Sequence, residues 1–139
     1  GLRALHAYDG TRAAMRRLLE TLVWDKSQLT DALVDGCHSC ATRPGAEEAR
    51  RGFRQGMERL TQDPNLRSKF DLTHVLPHLK IPTLFVWGEE DRFAPAALGR
   101  QLESSLPNIS FKYIPRAGHM VQNDQPGLVS ELLSEFFSA

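Results

Sequence analysis

The stretch Ile81-Pro82-Thr83-Leu84-Phe85-Val86-Trp87-Gly88-Glu89-Glu90-Asp91 decides how this chain is read. An apolar run with Pro82 near its start and Gly88 at its end has the pattern of a strand buried on both faces; a half-exposed strand would alternate. The turn Gly88-Glu89-Glu90 then delivers an acid, Asp91, to the carboxyl end of the strand. In open α/β sheets that edge is where ligands bind and chemistry is placed. Farther on, Gly118-His119 follows a second β-like segment. An Asp and a His brought to one sheet edge form the orienting half of a Ser-His-Asp relay. The carboxylate fixes the imidazole tautomer, and the imidazole takes and returns the proton. The plainer alternative has Asp91 capping a helix near Pro95 or pairing with Arg92, and His119 as an ordinary loop histidine. Chain order, strand-end placement and the flanking glycines together favour the relay.

Around that stretch the second half alternates. Leu72 to Leu79 reads as a short helix or turn, Pro95 to Leu106 as a helix, Ile109 to Ile114 as a strand and Gln125 to Phe137 as a closing helix. Strand, helix, strand, helix predicts a parallel pair joined by a right-handed crossover. Two strands are few for a run as apolar as Leu84 to Trp87, which expects neighbours on both edges. The sheet is therefore expected to be incomplete in this chain.

The first half carries no strand pattern. Met15, Leu18, Leu19, Leu22 and Val23 recur at helical spacing behind Thr11, and Ser27 or Thr30 offers a cap for a helix with Leu29, Leu33 and Val34. Pro44-Gly45 is a turn before a helix from Ala46 to Leu60, and Asp63-Pro64-Asn65 is a break. Short amphipathic helices make a thin core by themselves, so they are expected to cover another layer. The division predicted is a helical lid over 1–70 and a parallel β-α-β-α unit over 71–139.

The 17 basic and 17 acidic residues cancel, so no global field draws nucleic acid or an anionic membrane. No apolar run approaches the roughly eighteen residues of a membrane span. The opening residues lack the apolar core of a signal peptide, and Gly1 in place of Met reads as a processed or truncated end. Two cysteines close together, Cys37 and Cys40, fit a reducing, cytoplasmic setting. Their C-x-x-C spacing has no second pair to complete a zinc site, and Pro77 interrupts the turn between His74 and His78. Neither a metal nor a cofactor is implied.

The segment from Leu79 to Phe137 resembles the C-terminal end of an α/β-hydrolase. I-P-T-L-F-V-W-G-E-E-D-R-F-A-P, from Ile81, matches the strand and loop that bear the acid. I-P-R-A-G-H-M, from Ile114, matches the loop that bears the histidine. The helical half, Y-D-G-T-R-A-A-M-R-R-L-L-E-T-L-V-W-D-K-S-Q-L-T from Tyr8, is similar to the lid of the meta-cleavage product hydrolases. Those enzymes cut a carbon–carbon bond in diketones formed when bacteria open aromatic rings. The resemblance implies a partial α/β-hydrolase fold, with His119 as general base and Asp91 as its orienter. It also implies a small-molecule substrate, either a ring-fission diketone or an ester or lactone.

Three departures qualify it. No serine here sits in G-x-S-x-G, so the nucleophile and the oxyanion hole are expected from outside this chain. Gly36-Cys37-His38 stands where the subfamily is expected to carry a substrate-contacting arginine, and Met120 follows the histidine where the subfamily usually has Trp. The expected pocket contacts are Trp24, Leu33, Cys37, Phe93 and Met120. An N-terminal core or a second chain, another copy of this one included, is expected to complete the sheet. The alternative reading is a non-catalytic remnant of the fold that serves as a binding or assembly module.

Overall fold

The computed structural model describes residues 7–138, so the reading of Gly1 to His6 lies outside them. Thr11 opens the first helix, α1 (Arg12–Leu22), by accepting a hydrogen bond from Ala14 N–H, and Thr30 does the same for α2 (Asp31–Ala41) through Leu33 N–H. Each cap satisfies one of the donors that a helix start leaves free. Between them Asp25, not Ser27, caps a single 3₁₀ turn, Lys26–Gln28. α3 spans Ala46–Gln62. The break read at Asp63-Pro64-Asn65 falls at Asp63, which ends α3, and Pro64 then opens a short helix, α4 (Pro64–Lys69). Asp63 accepts from Asn65 and Leu66 N–H, and Pro64 takes the first helical position, where its missing N–H costs nothing.

α1 and α2 pack into one apolar cluster. Met15, Leu19, Val23, Leu29 and Val34 are buried there together with Tyr8, and Met120 from the far half of the chain packs against it. Across the exposed side of this pair, Arg12 reaches Asp31 at 2.9 Å and also binds Asp35, while Arg16 reaches Asp31 at 2.7 Å. Hydrogen bonds from Arg12 are the main cause holding both carboxyls below their usual range. These helices thus have a small core of their own, where the sequence reading expected only a cover. α3 contributes no buried residue to it.

After a 3₁₀ turn at Leu76–His78 comes β1 (Leu84–Gly88), then α5 (Ala96–Ser105), β2 (Ser110–Ile114), the single turn α6 (Val121–Asp124) and α7 (Pro126–Ser138). β1 and β2 pair in parallel with Leu84 opposite Ser110 and Gly88 opposite Ile114. Phe85 stacks on Phe111 with ring centroids 5.0 Å apart, beside buried Leu106 and Ile109. Trp87 lies against Gly99 of α5 so closely that a Cβ there would meet its ring at 2.8 Å.

Two expectations need correcting. β1 is shorter than the apolar run, and Leu84 to Trp87 are only half-buried. The physical reason is that a single strand pairs with it among the described residues, so one edge stays uncovered. Pro95 stands just before α5 as its cap residue and not within its first turn. Large apolar side chains also remain open to solvent, among them Phe70, Leu72, Ile81 and Phe137. No helix among the described residues is long and apolar enough to cross a membrane.

Gly88 closes β1 where the backbone of Ala117 and Gly118 passes. A Cβ on Gly88 would meet the Gly118 carbonyl at 2.2 Å, whereas one on Gly52, inside α3, would meet nothing. Gly88→Ala is therefore expected to lose about 1–3 kcal/mol or more, and Gly52→Ala to gain up to about 1 kcal/mol, in urea unfolding. Equal effects at the two sites would contradict the close approach. The depressed Asp31 and Asp35 carboxyls stabilise the folded state above their ordinary range, and that contribution is lost as pH falls through the lowered values. Thermal unfolding below about pH 4 should accordingly fall more steeply in the native protein than in Arg12→Gln.

Candidate active site

β1 ends at Gly88, and the next residues fold back on the loop that follows β2. Glu89 N–H donates to Ile114 O at 3.0 Å and Glu90 N–H to Ala117 O at 3.0 Å. The Glu90 side chain returns the contact by accepting from Ala117 N–H at 2.9 Å. The acid turn and the histidine loop are thereby stitched together by main chain before either functional side chain is considered.

Asp91 stands at the centre of this junction, buried to 7 % exposure and the one charged residue found buried among those described. Its Oδ1 accepts from Phe93 N–H at 2.7 Å and Ala94 N–H at 2.9 Å. Its Oδ2 lies 2.8 Å from His119 Nδ1. Three contacts on one carboxylate compensate the loss of water around it. The Nδ1–H tautomer fits the contact with Oδ2 and leaves the Nε2 lone pair free. The histidine side chain is 42 % exposed, against 4 % for that of Asp91. The acid is enclosed while the base faces outward, the arrangement that lets an imidazole exchange a proton with a substrate or a hydroxyl. The plainer sequence alternative holds in one respect, since Asp91 does brace a local turn, but it does so with the oxygen that His119 does not use.

The ring of Phe93 lies against His119, with centroids 4.6 Å apart and planes inclined by 37°. A small cleft of about 190 Å³ opens here, lined by Val86, Trp87, Gly88, Asp91, Ala94 and His119. Trp87 is fixed in its wall by an indole N–H bond to Ala94 O at 2.8 Å. Of the expected pocket residues, Phe93 alone touches the histidine ring in this way. Leu33, Cys37 and Met120 pack against the α1–α2 cluster. Trp24 is exposed on the segment leaving α1. Cys37 and Cys40 are both free, and His38 between them bonds Gly10 O at 3.0 Å through Nε2.

The sequence reading missed two carboxylates. Glu90 was read as part of a turn, yet it holds the histidine loop. Asp124 lies in Asn123-Asp124-Gln125-Pro126, a run that signals only a helix boundary, yet it accepts from Gly118 N–H, next to the histidine. No local pattern marks either one, because their partners are backbone groups distant in sequence.

A 2-hydroxy-6-oxononadienedioate/2-hydroxy-6-oxononatrienedioate hydrolase from Paraburkholderia phymatum is 31% identical over 129 residues, covering 92% of this chain and 42% of its own. An uncharacterized hydrolase of Bacillus subtilis, YugF, is 31% identical over 122 residues, covering 88% of this chain and 41% of its own. Among solved structures, a crystal structure of the meta-cleavage product hydrolase CumD superposes with a TM-score of 0.77 at 25% identity, over 99% of this chain and 49% of that one. No protein-family model matches. The chain spans about half the length of the relatives it matches.

The two oxygens of Asp91 can be separated by mutation. Asp91→Asn keeps an acceptor for Phe93 and Ala94 N–H, whereas Asp91→Ala leaves both donors unpaired. Asp91→Ala is expected to be less stable than Asp91→Asn by about 1–3 kcal/mol in denaturant unfolding. Equal stabilities would mean that Oδ1 does not hold the turn.

Proposed function

We propose that this chain, related to the C-terminal part of α/β-hydrolases and in particular to the meta-cleavage product hydrolases, supplies the base and orienting acid of a Ser-His-Asp hydrolase. The observation that carries the reading is the 2.8 Å contact from His119 Nδ1 to a buried, doubly backbone-braced Asp91 at the carboxyl end of β1. His119 Nε2 takes the proton of a serine hydroxyl as that oxygen attacks a carbonyl carbon. It then gives the proton to the leaving group, an alkoxide or the enolate carbon of a cleaved diketone. Water repeats the cycle on the acyl-enzyme, and Asp91 stabilises the imidazolium in both halves. No cofactor is required.

No serine of this chain lies in G-x-S-x-G. The nucleophile and the oxyanion hole therefore belong to an N-terminal core, carried in the same protein or in a second chain, which also pairs with the open edge of β1. The half-buried strand and the exposed Phe70, Leu72 and Ile81 support such a partner, since a completed sheet would cover apolar surface of this kind. Residues 1–70 act as the lid, with Trp24, Leu33, Cys37, Phe93 and Met120 facing an acyl pocket. The substrate is a small carbonyl compound, either a ring-fission diketone or an ester or lactone.

The test is turnover of a nitrophenyl ester and of a ring-fission diketone by the protein that completes this sheet. His119→Ala should cost about 10⁴-fold or more in kcat, and Asp91→Asn about 10⁴-fold, with the fold retained. Full activity in His119→Ala would sink the relay. A sheet-completing partner without any reactive serine would leave a binding or assembly module instead.

A further inference from the structure

Asp124 makes no use of its charge in an ion pair among the described residues; its recorded partners are backbone donors. Trp24 N–H reaches both oxygens, at 3.1 and 2.9 Å, Asp25 N–H reaches Oδ1 at 3.0 Å and Gly118 N–H reaches Oδ2 at 2.8 Å. Two of those donors belong to the segment leaving α1, and the third belongs to the residue before His119. On the other side of the histidine, Met120 N–H donates to Leu22 O at 2.9 Å. Both neighbours of His119 are thus tied to residues 22–25, one directly and one through Asp124. The approach is close: a Cβ on Gly118 would meet Leu22 O at 2.7 Å and Trp24 N at 3.0 Å. Gln125 adds a bond from its Nε2 to Arg116 O at 3.1 Å, which holds the same loop from behind.

We infer that Asp124 is a positioning residue for His119, a carboxylate clasp that fixes the histidine loop to the exit of the lid helix and so sets the imidazole against Asp91. This rests on the relay reading above and extends it, because the orientation of the base then depends on where the lid sits. Hydrogen bonds to a carboxylate are stronger than those between neutral groups, and three amides sharing one acceptor group fix two chain segments at once. Asparagine cannot replace it, since its amide nitrogen would face amide donors. Whichever way the amide turns, one of the three donors, Asp25 N–H or Gly118 N–H, would lose its acceptor.

The test uses ¹⁵N spectra and amide hydrogen exchange of the native protein and of Asp124→Asn. The native protein should show His119 as the Nδ1–H tautomer. Asp124→Asn should shift it toward a mixture with Nε2–H, and exchange at Gly118 or at Asp25 should quicken about tenfold or more. A tautomer and exchange rates left unchanged in the folded variant would overturn the inference while leaving the relay intact. A native His119 that is not the Nδ1–H form would overturn the relay itself, and the inference with it. Should Asp124→Asn not fold, exchange in the native protein decides. Gly118, Trp24 and Asp25 opening with one common free energy supports a single clasp, and three unrelated values overturn it.

Discussion

The structure depends on one close approach, the passage of the Ala117-Gly118 backbone over the end of β1. Gly88 leaves no room for a side chain there, so the two loops meet main chain to main chain. That contact permits the reciprocal bonds between Glu90 and Ala117 and fixes the relative height of the two loops. Asp91 and His119 follow as a consequence. Asp91 is one residue beyond a stitched position and His119 two, which brings their side chains together.

Burial is distributed around this junction according to need. Asp91 is enclosed, and its oxygens are divided between holding its own turn and holding the imidazole. That division makes the acid rigid before it acts on the histidine. The histidine remains accessible, as a group that exchanges protons must. Phe93 on the ring face and Trp87 in the cleft wall supply apolar surroundings. The segment leaving α1 adds a second attachment through Leu22, Trp24, Asp25 and Asp124. The segment that bounds the proposed pocket is thereby also the segment that holds the base.

The two halves differ in how they are stabilised. α1 and α2 make their own cluster around Met15, Leu19 and Val34, reinforced on the wet side by Arg12 and Arg16. The sheet half is held by Phe85 on Phe111 and by Arg100, which sits 4.1 Å above the Tyr113 ring while pairing with Glu89. Burial and a hydrogen bond to Glu103 push the Tyr113 hydroxyl up from its ordinary value, so it remains a donor across neutral pH. The other edge of β1 has no strand partner among the described residues.

The sequence by itself determined α1, α2, α3, α5 and α7, both strands, the parallel order and the pair Asp91 and His119. Those features rest on local signals: caps at Thr11 and Thr30, an apolar run ended by Gly88, and an acid and a histidine each placed just past a strand. The half-exposure of β1 was not legible, because an apolar run states what a strand needs and not what covers it. Asp63 and Pro64 looked like a break, since the same residues serve a loop or the start of a helix, and only the bonds to Asn65 and Leu66 distinguish them. The roles of Glu90 and Asp124 were decided by tertiary structure alone. Their partners are amide groups that every residue but proline carries, so nothing in the composition of Trp24, Asp25 or Gly118 announces the bond; only the path of the chain brings them within 3 Å.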